Sequence, residues 1–114
     1  MAQIVFNMVK DNAANSWFKV EKNLNLFTKD ESDMLIESRD ATQNLTGYIS
    51  TSFVEIDSLN MQRVLTFDTQ DNANTALTYL SSTDANSVFY MRKQILDKIR
   101  TANGERTQSV TIIP

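Results

Sequence analysis

The side chains available for chemistry in this sequence are carboxylates, tyrosines, hydroxyls and amides. Its 114 residues include no histidine and no cysteine. Histidine alone has an unperturbed pKa near neutrality and is the commonest metal ligand. Cysteine supplies thiolate nucleophiles, zinc and iron–sulfur ligands, and disulfides. Ser-His-Asp and Cys-His catalysis, structural zinc, axial haem ligation by His or Cys and dithiol redox chemistry therefore drop out together. Glu55 and Asp57 could work as general acid and base, but nothing fixes a partner for either. Asp68, Asp71, Asn72 and Asn74 present oxygens to a cation, yet EF-hand spacing and its glycine are absent, and helix capping accounts for them better. Tyr48, Tyr79 and Tyr90 are proton donors in principle, each placed where a half-buried aromatic would pack. No G-x-G-x-x-G and no P-loop is present to cradle nucleotide phosphates. The expectation is no metal and no cofactor.

The elements that would position these groups follow from periodicity. Gln3 to Val9 reads as a strand. Thr28-Lys29-Asp30-Glu31 has the form of a capping box. Behind it Met34, Ser38, Ala41 and Leu45 recur at helical spacing, and Gly47 suits a C′ position of positive φ. Tyr48 to Ile56 and Arg63 to Phe67 read as a hairpin turning at Asp57-Ser58-Leu59-Asn60. Thr69 or Asp71 caps a helix carrying Ala73, Ala76, Leu77 and Leu80. Ser81-Ser82-Thr83-Asp84 interrupts it and offers a fresh N-cap. A longer helix follows, with Val88, Met91, Ile95 and Ile99 on a stripe that Phe89 and Leu96 widen, and Asn103-Gly104 closes it. Ser109 to Ile113 is the last strand. In residues 13–27, Trp17, Val20, Leu24 and Phe27 fit a short helix, while Trp17 to Glu21 could alternate as a strand; the helix is the expected form. Trp17 reads as a core or interface anchor.

The order β-α-β-β-α-β predicts a single α+β domain over residues 1–114, of the split βαβ, ferredoxin-like plan. It has a four-stranded antiparallel sheet with helices on one face. An apolar share of 41% with only two glycines and one proline excludes a disordered or linker-rich chain. The first and last strands are apolar on both sides, so the uncovered face needs a partner. Self-association through it, as a dimer, is expected, with Val5, Val9, Val110 and Ile112 as interface candidates. An acidic run between Lys29 and Asp40 and a basic one from Arg92 to Arg106 read as two solvated helix faces.

The strand-to-helix junction Thr66-Phe67-Asp68-Thr69-Gln70-Asp71-Asn72-Ala73, with this topology, resembles the dimeric α+β barrel proteins of the antibiotic-biosynthesis monooxygenase type. The resemblance implies a cleft between sheet and helices able to hold a flat aromatic ligand. It places Asn7 at the position of the family's asparagine and Phe67 where haem-degrading relatives carry a tryptophan. The absent histidine argues against haem degradation. Asn7, Trp17 and Phe67 are the ligand-binding candidates under that reading, and their convergence on an open pocket is the feature that would distinguish it.

The same plan serves RNA-recognition modules, but Gln62 to Phe67 lacks their glycines and most of their charge. With a net charge of −3, no nucleic-acid partner is expected. The run Ala2 to Val9 is too short to span a membrane and lacks the shape of a signal peptide, so no membrane partner and a cytoplasmic location are expected. Richness in Asn, Ser and Thr with few arginines gives a compositional impression of an AT-rich or viral genome. A self-associating structural or interaction module is thus the first expectation. A cofactor-independent monooxygenase-like enzyme, or a small-molecule binder using the sheet–helix cleft, is the alternative.

Overall fold

The computed structural model describes the backbone of residues 1–114 and every side chain except those of Glu21 and Leu24. Four strands, β1 (Ala2–Lys10), β2 (Tyr48–Asp57), β3 (Asn60–Phe67) and β4 (Glu105–Ile113), form one antiparallel sheet in the order β2-β3-β1-β4. Between β1 and β2 lie two 3-10 turns (Val20–Lys22 and Leu24–Leu26) and α1 (Lys29–Gln43); α2 (Gln70–Leu80) and α3 (Val88–Ala102) join β3 to β4. The molecule is an α+β domain with an open sheet and three helices, all on one face.

Register decides which side chains face the helices. Ile4 pairs with Leu65 and with Ile112, and Phe6 pairs with Arg63 and with Val110. Because side chains alternate across a strand, Ala2, Ile4, Phe6 and Met8 share one face with Met61, Arg63, Leu65 and Phe67. That face meets Ala73 and Ala76 of α2, and Ile4, Leu65 and Phe67 are fully buried there. Each such burial contributes on the order of 1.5–3 kcal/mol. Tyr48 closes this core edge-on against Phe67, with ring centroids 6.1 Å apart. A second cluster, Met8, Met61 and Trp17, plugs the far end of the same face.

Local chemistry sets the element ends. The Thr28 hydroxyl accepts the Glu31 N–H, and Glu31 Oε1 accepts the Thr28 N–H at 2.9 Å, so the expected capping box starts α1. Thr69 caps α2 by accepting the Asn72 N–H. Asp57 Oδ1 accepts the Leu59 N–H and so holds the hairpin turn.

Several details differ from the sequence reading. Gly47 has positive φ, but it lies beyond the Asn44 cap of α1, in the turn that enters β2. The cap of α3 is Ser87, beyond the stretch Ser81–Asp84 expected to supply it, and its hydroxyl makes no capping bond; Asp84 accepts the Asn86 N–H in the preceding turn. Leu96 is the buried residue of α3, and the stripe from Val88 to Ile99 is only half-buried. Residues 13–27 hold two single 3-10 turns in place of one helix. Trp17 is buried and Val20 half-buried, whereas the Leu24 side chain lies outside the described residues. Backbone bonds tie the last strand back to Glu105, four residues earlier than expected.

Candidate functional site

The helix-covered side of the sheet is not packed solid. A cavity of about 550 Å³ opens between α1 and the β2–β3 hairpin, with Leu35, Ile36, Tyr48 and Phe53 among its walls. A second, of about 320 Å³, lies beneath α3 and reaches Phe6, Ser81 and Arg100. Thr42, Arg63 and Arg92 line both, so the two lie next to each other. Phe53 is on the helix-facing side of β2, opposite Arg63, yet stays 55% exposed because α1 stands away from this edge of the sheet.

Arg63 occupies a position where β3 otherwise presents Met61, Leu65 and Phe67. Its guanidinium sits 5.2 Å from the Phe6 ring centroid, a cation–π contact. Among the described residues no hydrogen bond or ion pair engages the Arg63 side chain, an unusual state for a half-buried cation. Burial first, and the nearby Arg100 charge second, push Arg63 down to about 10, and the neighbouring Tyr48 opposes this. Arg100 is likewise pushed below the ordinary arginine range by burial, against the attraction of Glu105 and Asp97. Its Nε is buried and has no hydrogen-bond partner.

Among the described residues, the charged side chains lining the first cavity are Arg39, Arg63 and Arg92, and those lining the second are Arg63, Arg92, Lys93, Arg100 and Asp97. A chain whose acids outnumber its bases by 14 to 11 has thus placed four of its five arginines around two neighbouring cavities. The acids of α1 (Asp30, Asp33, Glu37, Asp40) are exposed. Planar guanidiniums recognise carboxylates and phosphates in pairs of parallel hydrogen bonds; Arg39 is already paired with Asp40 at 3.4 Å.

The residues singled out from sequence take other places. Asn7 faces the opposite, uncovered side of the sheet, where it accepts from Gln62 Nε2 at 3.0 Å and donates to Ser109 Oγ at 3.1 Å. Phe67 is wholly buried in the core. Trp17 packs on Met8 and Met61 with Lys10 Nζ 4.8 Å from its ring, and lines a separate hollow of about 610 Å³ beside Lys19, Lys22 and Glu55. Asn7, Trp17 and Phe67 therefore do not converge on one pocket. Val5 and Val9 lie on the uncovered face, whereas Val110 and Ile112 pair with Phe6 and Ile4 and lie on the helix-facing side. Asp68 and Asn72 hydrogen-bond each other at 2.8 Å beside the α2 cap. No cluster of acids suited to a metal occurs among the described residues, and no helix there is long and apolar enough to cross a membrane.

Sequence reasoning passed over the arginines. Arg63 stood in an alternating series with Leu65 and Phe67, and a charge on an otherwise apolar strand face was the available signal. Arg92 and Arg100 sit four residues either side of Leu96, hence on the buried side of α3, although they read as part of a solvated basic face. Comparison with family models, curated proteins and solved structures gave no match.

Proposed function

We propose that this domain binds a small organic anion in the arginine-lined space between its sheet and helices. The observation that carries the reading is Arg63: a half-buried guanidinium facing an open cavity with no hydrogen-bond or ion-pair partner among the described residues. Its guanidinium borders the open cavity and is half withdrawn from water, so a bound anion could supply hydrogen bonds and a countercharge that the described residues do not. Cavities of this size suit small ligands, and apolar walls around a few convergent polar groups are their usual form. The element order and the β2-β3-β1-β4 sheet fit the ferredoxin-like plan, which hosts many functions, so the site and not the fold supports the assignment. Asn7 stands on the other side of the sheet, so the monooxygenase-type alternative gains nothing from its position.

Isothermal titration with 2-naphthoate, 1-naphthyl phosphate and uncharged 1-naphthol tests the reading. Saturable binding of at least one anion, absent with naphthol and lost in Arg63→Met, is the expected result. Naphthol binding as tightly as either anion would overturn selection by charge, and silence from both anions would overturn the site.

Self-association through the uncovered sheet face is a second proposal. Val54 and Ile113 on that face are 47% exposed each, and aliphatic side chains left open on a sheet favour a partner. Light scattering on the purified chain reads it directly, and a monomer at high concentration sinks it.

A further inference from the structure

We infer that two copies of the chain join along the free edge of β2, antiparallel about a dyad at Phe53, into one continuous sheet. This contact is separate from anion binding and stands without it. β2 ends the sheet and pairs with β3 alone. The ladder decides which of its backbone groups point outward. The Lys10 N–H donates to the Leu59 carbonyl at 2.9 Å, so these two form a hydrogen-bonded pair. Bonded and non-bonded pairs alternate along an antiparallel ladder, so Met61, Arg63 and Leu65 bond β1, while Gln62, Val64 and Thr66 bond β2. The Asp68 N–H on the Gly47 carbonyl gives the same alternation from the other end of β3. Val54, Ser52 and Ser50 are the partners on β2. Thr51, Phe53 and Glu55 are left with N–H and C=O aimed away from the sheet.

Sheets ordinarily guard such an edge with lysine, proline or a bulge. β4, the opposite edge, has its irregularity in mid-strand, against Asn7 and Met8. In β2 the irregularities fall near the two ends and leave Ser50 to Glu55 in continuous register. Tyr48 to Asp57 contains no lysine, arginine or proline. It exposes Ile49, Phe53, Val54 and Ile56 instead, by 49%, 55%, 47% and 59%. A second copy is the occupant that fits, because it brings a strand of equal length with the same outward groups. With the dyad at Phe53, Thr51 lies opposite the partner's Glu55, and every outward N–H and C=O of Thr51, Phe53 and Glu55 gains a partner. The two Phe53 rings meet on the helix side, beside the cavity that each lines. The charges of the strand, Glu55 and Asp57, sit at one end. Antiparallel pairing therefore holds the two Glu55 side chains about 13 Å apart along the strands. The contact is isologous and closes at two copies.

The chain has no cysteine, so a single introduced one reports its distance from its own copy. Under mild oxidation Phe53→Cys should form disulfide-linked dimers at least about tenfold faster than Ser52→Cys, whose thiols meet only if the dyad moves by one residue. Phe53→Pro removes an outward N–H and leaves the ladder to β3 intact, so it should halve the mass that light scattering reads for the wild type at high micromolar concentration. If Phe53→Pro does not fold, Phe53→Lys, at a site already 55% exposed, carries the same expectation. The Phe53 side chain points to the helix side, so none of its variants alters the uncovered sheet face. An oligomer that survives Phe53→Pro or Phe53→Lys overturns the edge contact and leaves that face as the interface. A wild-type monomer overturns both. Equal or faster cross-linking of Ser52→Cys overturns the dyad at Phe53.

Discussion

Arg63 is held where an aliphatic side chain would serve the core better. Its neighbours on the same strand face, Leu65 and Phe67, are fully buried, and its guanidinium meets the Phe6 ring. Arg63→Met keeps the length of the side chain and removes the buried charge, so it should raise unfolding free energy by about 1 kcal/mol in urea titration while abolishing anion binding. The sign with pH follows from the lowered pKa. Below about 10 both folded and unfolded chains carry the proton, and the burial penalty is fully present. As pH rises from there through the ordinary arginine range, the folded state releases its proton first and the penalty fades. The gap between Arg63→Met and wild type should therefore stay level from pH 6 to 9 and narrow above about 10. A gap that widens there would show that Arg63 is not the strained group. At this scale the sequence was legible for what it lacked and for Thr28, Glu31 and Thr69, whose capping roles are local and need only a spacing of three residues. It was not legible for the site, because Arg92 and Arg100 gain their meaning only when α3 settles over Phe6 and Arg63.

Among the elements, the junction between α1 and β2 is the least forgiving. Gly47 has φ near +80°, and a Cβ there would drive into the Asp68 carboxylate and the Asn72 side chain. The Gly47 carbonyl also accepts the Asp68 N–H at 2.9 Å, so the turn entering β2 is stitched to the turn leaving β3. Gly47→Ala combines left-handed strain with displacement of the Asp68–Asn72 pair, and should cost about 2 kcal/mol or more in chemical unfolding. Cost under 0.5 kcal/mol would mean that the junction yields. The glycine was recognisable from sequence as a positive-φ position, but its clash partners were not, since they come from a segment twenty residues further on. Strands and amphipathic helices were placed from sequence because apolar alternation and 3.6-residue spacing are local patterns, although β3 and β4 begin three and four residues before the expected starts. Residues 13–27 were not. Their order comes from distant anchors: Glu105 Oε2 accepts the Phe18 N–H at 2.8 Å, and Asn103 Nδ2 donates to the Ser16 carbonyl at 2.9 Å. Neither bond leaves a trace in the spacing of the segment itself.

Across the whole molecule, the two sheet faces carry different duties. One holds the core and the arginine-lined space. The other is crossed by the polar row Gln62–Asn7–Ser109 and has Val5 sunk to 3% exposure among its neighbours. Val5→Lys would therefore bury a charge and damage the fold itself, whereas Val54→Lys, at a rim position, leaves the monomer sound. If copies associate through this face, Val54→Lys should halve the mass seen by light scattering with no fall in melting temperature. An unchanged oligomer would place the contact elsewhere. The sheet and its helix layer were foreseeable from element order, since few topologies accommodate such a series with short connections. Which arm of each strand faced which layer was harder, because bulges between Asn7 and Met8 and between Tyr48 and Ser50 shift the count by one.

That same sheet order brings the first and last strands side by side, with Gln3 opposite Ile113. The two ends of the chain thus emerge together from one end of the sheet, far from the turn at Asp57–Asn60 and from the exposed stretch Asp11–Ala14. A short glycine–serine bridge between the ends, with the chain reopened at Asn12–Ala13, would preserve every strand pairing. Such a circular permutant would carry its new termini beside the Trp17 hollow and leave both arginine-lined cavities untouched.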